Sequence, residues 1–190
     1  MEKIYTSLGL MSGTSMDGVD ASIIRSNGEE QYESIFDEYF EYDEDLYEDL
    51  VNLRNKISSA NDIIVNSKLI DNVERKITLF HGKICNKIIH ENNNEIDLVG
   101  FHGQTIFHDA NQKISKQLGD GPLLSNLLKK KVIYNFRAND ITNGGQGAPL
   151  APIFHNLLIN KVKMKLPVCI LNIGGIANIT IITSKKNKDL

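Results

Sequence analysis

An amphipathic helical pattern in the middle of the chain limits its fold most, because strand-like segments flank it on both sides. Apolar residues recur there every three or four positions, at Ile70, Val73, Ile77, Phe80, Ile84 and Ile88. This spacing places them on one face of an α-helix, which we expect to begin with a cap at Asn61-Asp62. A shorter helix is predicted over residues 43–58 from Leu46, Leu50, Leu53 and Ile57. Helices with one apolar face need a second layer, so an α/β fold is expected.

Short segments rich in β-branched residues predict the strands of that layer. They lie at 4–11, 19–24, 34–40, 96–101, 114–118, 132–134, 167–173 and 178–182. Further helices are predicted over 123–128 and from Pro149 to about residue 160, since proline suits the first helical position. The charged connector 161–165 is the expected domain boundary, which divides the chain into 1–165 and 166–190.

Composition and charge disfavour several classes of function. A net charge of −3 and a pI near 6.0 give no electrostatic basis for binding nucleic acid or an anionic membrane surface. No apolar run approaches the ~20 residues that span a bilayer, and no signal peptide is recognisable. Cys85 and Cys169 form no metal-binding pair and are expected to be buried thiols. A cytoplasmic protein is expected.

The turn between the first two strands has the composition of a phosphate-binding loop. Backbone N–H groups and hydroxyls in such a turn can hold phosphate oxygens, and Asp17 and Asp20 can hold Mg²⁺ directly or through water. An ordinary surface hairpin fits the same residues. Neither a Walker A motif nor a Gly-x-Ser-x-Gly elbow is present, so P-loop ATPases and serine hydrolases are disfavoured. The candidate residues are Gly13, Thr14, Ser15, Met16, Asp17, Gly18, Val19 and Asp20.

Two later segments carry further candidate site residues. His102, Gln104 and Thr105 follow a predicted strand that we expect to end at Phe101. Polar side chains at a strand end often face a crevice, where these three can bind sugar hydroxyls or an amide. Asp140 precedes a glycine-rich turn and can take a proton from a hydroxyl or water, and Arg137 can bind a carboxylate or phosphate. A helix cap followed by an ordinary glycine turn explains Asp140 equally well.

The last predicted hairpin repeats the arrangement of the first. Gly174-Gly175 lie between its two strands, and glycine allows the backbone to approach a phosphate closely. Two strands cannot stand alone, so this hairpin is expected to pack onto further polypeptide.

Taken in order, these segments resemble the motifs of the anhydro-N-acetylmuramic acid kinase family. The resemblance implies a fold of the sugar kinase/Hsp70/actin class, in which two α/β domains enclose a nucleotide cleft. This chain would supply the N-terminal domain and the first hairpin of the second domain. One departure is Asn135, because the family usually has Asp before Phe136-Arg137. The matching stretches are residues 9–20, 102–105, 136–140, 144–150 and 171–178.

The resemblance also implies the chemistry. ATP and Mg²⁺ would bind at residues 13–20 and at Gly174-Gly175, with Asp17 and Asp20 near the metal. Asp140 matches the family's catalytic base. The implied reaction opens the 1,6-anhydro bridge of 1,6-anhydro-N-acetylmuramic acid and phosphorylates O6, which gives N-acetylmuramic acid 6-phosphate and ADP in cell-wall recycling. The expected sugar contacts are His102, Gln104, Thr105 and Arg137.

Family members continue through a full second domain, whereas this chain has 190 residues. We therefore expect little kinase activity from the chain alone, a missing C-terminal half, and a homodimer as the family resemblance suggests. A non-catalytic amino-sugar-binding or regulatory remnant of such a kinase is the alternative. An actin- or chaperone-like ATPase ranks last, since it leaves Asp140 without a role.

Overall fold

The first three strands form an antiparallel meander. In the computed structural model, which describes residues 3–92, 95–174 and 177–184, these strands are β1 (Tyr5–Ser12), β2 (Gly18–Ser26) and β3 (Tyr32–Glu41). β2 pairs with both of the others. Side chains on one face alternate into the core, as expected for strands with one buried face. Leu8 and Leu10 of β1 are at most 3% exposed. The three predicted strands are confirmed.

Three helices follow, and the longest has the predicted apolar face. They are α1 (Glu44–Asn55), α2 (Ala60–Val65) and α3 (Ser67–Glu91). Along α3 the predicted positions are buried, apart from the partly buried Phe80. The predicted cap at Asn61-Asp62 is wrong, because Ser59 caps α2 in a reciprocal arrangement with Asp62. The backbone then leaves helical geometry at Asn66 before α3 begins.

A long fourth strand organises the rest of the main sheet. The remaining strands are β4 (Leu98–Asp109), β5 (Ile114–Leu118) and β6 (Lys131–Tyr134). The six-stranded sheet has the order β3-β2-β1-β4-β5, with β6 also paired to β4. β4 runs parallel to β1 and β6 and antiparallel to β5. The predicted strand end at Phe101 is wrong, because β4 exchanges β6 for β5 as its neighbour and continues.

Shorter helices connect these strands and lead out of the sheet. They are α4 (Gly121–Leu128), α5 (Phe136–Thr142) and α6 (Pro152–Val162). The helix predicted to open at Pro149 opens instead at Pro152. The preceding residues stay in a loop because Gly147 is bonded to side chains of α5. Packing of α1 and α3 against each other and against β4 builds the core.

The last two strands form a separate antiparallel sheet. β7 (Val168–Asn172) pairs with β8 (Asn178–Ile182), as predicted. The expectation that both cysteines are buried is half wrong, since Cys85 is buried and Cys169 is exposed on β7. Over the described residues, the chain forms a mixed α/β fold, and none of its helices has the length and apolar character needed to cross a bilayer.

Candidate active site

The turn between β1 and β2 presents its polar side chains to solvent and anchors one apolar residue inside. The Met16 N–H donates to the Gly13 carbonyl at 3.2 Å. Met16 adopts a left-handed conformation with φ of 62°, and its side chain is only 3% exposed. Thr14, Ser15 and Asp17 remain exposed. The Ser15 hydroxyl donates to Asp17 Oδ1 at 2.5 Å. The turn therefore offers hydroxyls and backbone around a buried anchor.

Gln104 holds this turn from the neighbouring strand. Its Nε2 donates to the Gly13 carbonyl at 2.8 Å, and in the parallel register it lies opposite Ser12. Its side chain is fully buried. Oε1 of Gln104 has no hydrogen-bond partner in the described part of the chain. The residue predicted to bind a sugar is thus bonded to the turn that we predicted to bind phosphate.

The remaining residues of the predicted loop belong to β2. Gly18 and Val19 are buried, and a side chain at Gly18 would collide with Tyr39 and the Phe40 carbonyl. Asp20 is exposed and pairs with Tyr39 across the strands. Burial raises the pKa of Tyr39, and the negative charges of Asp17, Glu41 and Asp20 raise it further. Asp17 and Asp20 therefore lie near one ring.

Oxygen ligands of this kind suit Mg²⁺, which keeps several waters and takes one or two carboxylates together with phosphate oxygens. Asp17 and Asp20 fit that requirement, because both are exposed beside the turn. Within residues 3–92, 95–174 and 177–184, no group of three or more His, Cys, Asp or Glu residues is arranged to hold a metal by itself.

A β-bulge in β4 determines where His102 points. Between the pairs Leu10–Phe101 and Ser12–Gln104, β4 contains one residue more than β1. Gly103 takes up this extra length with a φ of +71°, and a side chain there would collide with the Leu118 carbonyl. Bulges bend a strand and redirect its side chains, and they are frequent beside active sites. His102 is redirected in this way.

His102 is bonded to Arg137 of α5. Nδ1 of His102 lies 2.6 Å from the Gly103 carbonyl, so this nitrogen carries the ring proton. Nε2 then accepts from Arg137 Nε at 3.0 Å. Burial, followed by the charge of Arg137, lowers the pKa of His102 to about 4. A neutral imidazole thus receives a hydrogen bond from a guanidinium whose own pKa is lowered by burial.

Asp140 is held by the glycine-rich loop that follows α5. Its Oδ2 accepts from the Gly147 N–H at 2.7 Å, and the Gly147 carbonyl accepts from Arg137 Nη1 at 2.7 Å. Gly147 has a φ of +74°, and a side chain at Gly145 would collide with the Asp140 carboxylate. Among the described residues, Oδ1 of Asp140 accepts no hydrogen bond. One carboxylate oxygen is fixed, and the other is free for chemistry.

His102, Arg137, Gly147 and Asp140 thus form one hydrogen-bonded series, while Gln104 joins the same strand to the first turn. Thr105 is not part of this series, because its hydroxyl accepts from Gln117 Nε2 at 3.2 Å. A cavity of about 370 Å³ opens beside His102, but Asp140 is not among its lining residues.

The second predicted phosphate turn lies in the separate sheet. Gly174 is exposed in a bend after β7, and Gly175 lies outside the described residues. Asn135, the departure from the family motif, has a φ of 62°. Asn tolerates this left-handed conformation better than most residues, so the substitution is compatible with the start of α5.

Sequence reasoning missed several residues that build the site. Gly145 and Gly147 were read only as part of a turn, although Asp140 needs the space at the first and the N–H of the second. His81 occupies a buried position of α3, where the periodicity calls for an apolar side chain. A polar residue at such a position was a usable signal, because buried polar groups require partners.

Comparison with known proteins identifies the family of this chain independently of its structure. The sequence model of the family "Anhydro-N-acetylmuramic acid kinase" matches residues 5–188. The chain is 70% identical over 190 residues to the anhydro-N-acetylmuramic acid kinase of Pelagibacter ubique, covering all of this chain and 51% of the relative. It is 36% identical over 187 residues to the enzyme of that name from Agrobacterium fabrum, covering 96% and 50%. The chain therefore spans about half the length of the curated relatives it matches.

Proposed function

Since this chain belongs to the anhydro-N-acetylmuramic acid kinase family, we propose that it provides the catalytic base and first phosphate-binding turn of an ATP-dependent kinase. The substrate is 1,6-anhydro-N-acetylmuramic acid, and the products are N-acetylmuramic acid 6-phosphate and ADP. The fold would be that of the sugar kinase/Hsp70/actin class. Residues 1–165 would form its N-terminal domain and residues 166–190 the start of the next. The two separate sheets support this division.

The geometry of Asp140 carries the proposal. Its carboxylate is held through Oδ2 by the Gly147 N–H, and it occupies space that a side chain at position 145 would otherwise take. A carboxylate fixed in this way can take a proton from a water molecule. The water oxygen then bonds to the anomeric carbon, and the bond from that carbon to O6 breaks. O6, released from the bridge, attacks the γ-phosphorus of ATP, and ADP leaves.

The first turn would stabilise the phosphates during this transfer. Phosphoryl transfer depends on positioning and on dispersal of charge over the phosphate oxygens. The exposed hydroxyls of Thr14 and Ser15, together with the backbone of residues 13–18, are suited to this role. Asp17 and Asp20 would hold Mg²⁺, which offsets phosphate charge when bound. Gly174 and Gly175 would approach the phosphates from the other side of the cleft.

Arg137 is the best supported sugar contact. Two of its N–H groups are used by His102 and Gly147, which leaves other donors of a fixed guanidinium for a carboxylate such as the lactyl group of the substrate. His102 would orient Arg137 in addition to contacting the sugar. Gln104 and Thr105 would act at the same strand, although both already have protein partners.

The half-length match supports the proposal that a second polypeptide segment completes the nucleotide cleft. The chain alone would then have little kinase activity, and the completed protein would work as a cytoplasmic homodimer. The same half-length match favours a second candidate, a protein that binds the amino sugar without phosphorylating it. Calorimetry on this chain joined to a second half separates the two, because only the kinase then binds ATP as well as the sugar.

The test uses a completed protein, defined as this chain joined at residue 190 to the second half of the Pelagibacter ubique relative. We expect sugar-dependent release of ADP, and Asp140→Asn should lower kcat by roughly 10²–10⁴-fold, the usual contribution of a general base. Asn keeps an oxygen for the Gly147 N–H, so the fold should survive. Asp71→Asn, at an exposed carboxylate of α3, is the control and should keep the parent rate. An Asp140→Asn rate within tenfold of the parent would exclude this role.

A further inference from the structure

A buried polar cluster lies directly beneath the first turn, and the proposed chemistry does not use it. The cluster consists of Ser12, the last residue of β1, Tyr42, which precedes α1, and His81 of α3. Their exposed fractions are 1%, 5% and 0%. Ser12 Oγ lies 2.8 Å from the Tyr42 hydroxyl and 3.2 Å from His81 Nε2. No ligand can reach His81 directly.

The proton positions in this cluster follow from one contact. His81 Nδ1 lies 2.8 Å from the Ile77 carbonyl, which can only accept, so Nδ1 carries the proton and Nε2 must accept. Ser12 therefore donates to His81, and Tyr42 donates to Ser12. Burial lowers the pKa of His81 to about 4, so the ring is neutral at pH 7 and Nε2 keeps its lone pair. Every hydroxyl in the cluster then has a single satisfied orientation.

Tyr42 also holds the far end of the turn. Its backbone N–H donates to the Asp17 carbonyl at 2.9 Å, while its hydroxyl bonds to Ser12. The two residues that flank the turn, Ser12 and Asp17, are therefore fixed by the same tyrosine. The Tyr42 ring packs edge-on against Phe80 of α3, with ring centroids 4.9 Å apart. α3 and the segment that joins β3 to α1 thereby fix the two ends of the turn.

We propose that His81 and Tyr42 are positioning residues, which fix the backbone of the phosphate-binding turn through Ser12 and Asp17. This inference rests on the proposed function only in what the turn binds. Phosphate-binding amides are effective when they are fixed before the ligand arrives, because no free energy is then spent on ordering them. Neither residue touches the reacting atoms.

Two substitutions of His81 separate positioning from general stability. In His81→Gln the amide oxygen can reach the place of Nε2 and accept from Ser12, whereas His81→Leu fills the space without an acceptor. Thr78→Val is the matched control. Thr78 is also fully buried on α3, but its hydroxyl accepts from the Asp120 N–H at 3.0 Å, away from the turn.

The measurement is amide hydrogen exchange of the chain as it stands, without nucleotide. We expect the Met16 N–H to exchange roughly tenfold faster, relative to the core amide of Val99, in His81→Leu, since this variant loses one buried hydrogen bond. His81→Gln and Thr78→Val should keep the parent ratio. An unchanged ratio in His81→Leu, or an equal rise in Thr78→Val, would overturn the proposal. If His81→Leu does not fold, Ser12→Ala replaces it, with the same expected rise and the same overturning result.

A kinetic measurement on the completed protein gives the second readout. His81→Leu should lower kcat/KM for ATP by roughly tenfold, while His81→Gln and Thr78→Val should keep the parent value. A parent value in His81→Leu, or an equal loss in Thr78→Val, would contradict positioning of the phosphates. The exchange result stands apart from the proposed function, because it is obtained without ATP. If the Met16 N–H exchanges faster in His81→Leu but the completed protein does not bind ATP, the proposed kinase function is refuted and the positioning role stands.

Discussion

The two hairpins with glycine turns resemble each other in sequence and differ in what surrounds them. β1 and β2 lie inside the six-stranded sheet, between β3 and β4. Their turn is held by Gln104 on one side and by Tyr42 on the other. Ile23 of β2 is fully buried. The geometry of this turn is therefore set by residues far away in the sequence.

The second hairpin has one covered face and one bare face. Thr180 and Ile182 are buried on the face near α6, where Thr180 bonds to His155 at 2.8 Å. On the other face, the paired strands bring together Cys169, Leu171, Ile179 and Ile181. Leu171, Ile179 and Ile181 are 53%, 60% and 67% exposed. A strand pair with such a face is not stable alone in water. The same sequence pattern is thus enclosed by neighbouring elements in the first hairpin and exposed on one face in the second.

The largest expected effect comes from adding those neighbours. In the completed protein, the bare face of β7 and β8 would be covered. We expect sugar-dependent ADP release to rise from background in the chain alone to a kcat of about 1–100 s⁻¹, which is usual for kinases. A coupled assay measures both proteins at equal concentration. Robust turnover by the chain alone would break the comparison, because the second hairpin would then need no further cover.

The sequence predicted the local elements well because periodicity depends on near neighbours. The buried face of α3 and the pairing of β7 with β8 followed from spacing alone. The end of β4 was not predictable in this way. Its continuation past Gly103 depends on β5 replacing β6 as its neighbour. That exchange is a property of the assembled sheet.

In the candidate site, too, residue identities were predictable from the sequence, whereas contacts between distant residues were not. Asp140 and Arg137 could be named from their residue types and motif, yet their connection through Gly147 could not. Gln104 was predicted to bind the sugar, whereas in the structure its side-chain amide donates a hydrogen bond to the Gly13 carbonyl. Residue type indicates which chemistry is available. The partner of each group is decided by long-range packing.

Replacing one isoleucine by alanine in each hairpin sharpens the comparison, with an expected effect smaller than that on turnover. Ile23→Ala removes buried atoms from β2 and should lower the free energy of unfolding by about 2–5 kcal/mol. Ile181→Ala acts on a largely exposed side chain and should change it by about 0.5 kcal/mol or less. Denaturant titration of the chain measures both. Equal losses would show that the second hairpin already has a buried apolar face.

The same substitution in the completed protein tests what covers that face. Ile181→Ala should then lower the free energy of unfolding by more than it does in the chain alone. The loss caused by Ile23→Ala should stay the same, because Ile23 of β2 is already buried. If Ile181→Ala stays near neutral in the completed protein, the added segment packs elsewhere.

The two cysteines provide the smallest and most direct test of the difference. Cys85 is buried in α3, where burial raises the pKa of its thiol to about 12, whereas Cys169 is exposed on the bare face of β7. Only a thiolate reacts with disulfide reagents such as Ellman's reagent, and the thiol must be accessible. In the native chain, the Cys169 thiol should therefore react quickly, and the Cys85 thiol should react only on unfolding. Cys169→Ser should abolish the fast phase.

In the completed protein, the fast phase should slow by roughly tenfold or more, because access to Cys169 then requires local opening of the covering segment. Cys169 lies opposite Ile181 in the strand register, so its reaction rate reports on the same face as the Ile181 substitution. A fast phase of unchanged rate, in a completed protein that turns over the sugar, would mean that the kinase works with this face uncovered. The apolar face would then need a different partner, and its covering would not be required for turnover.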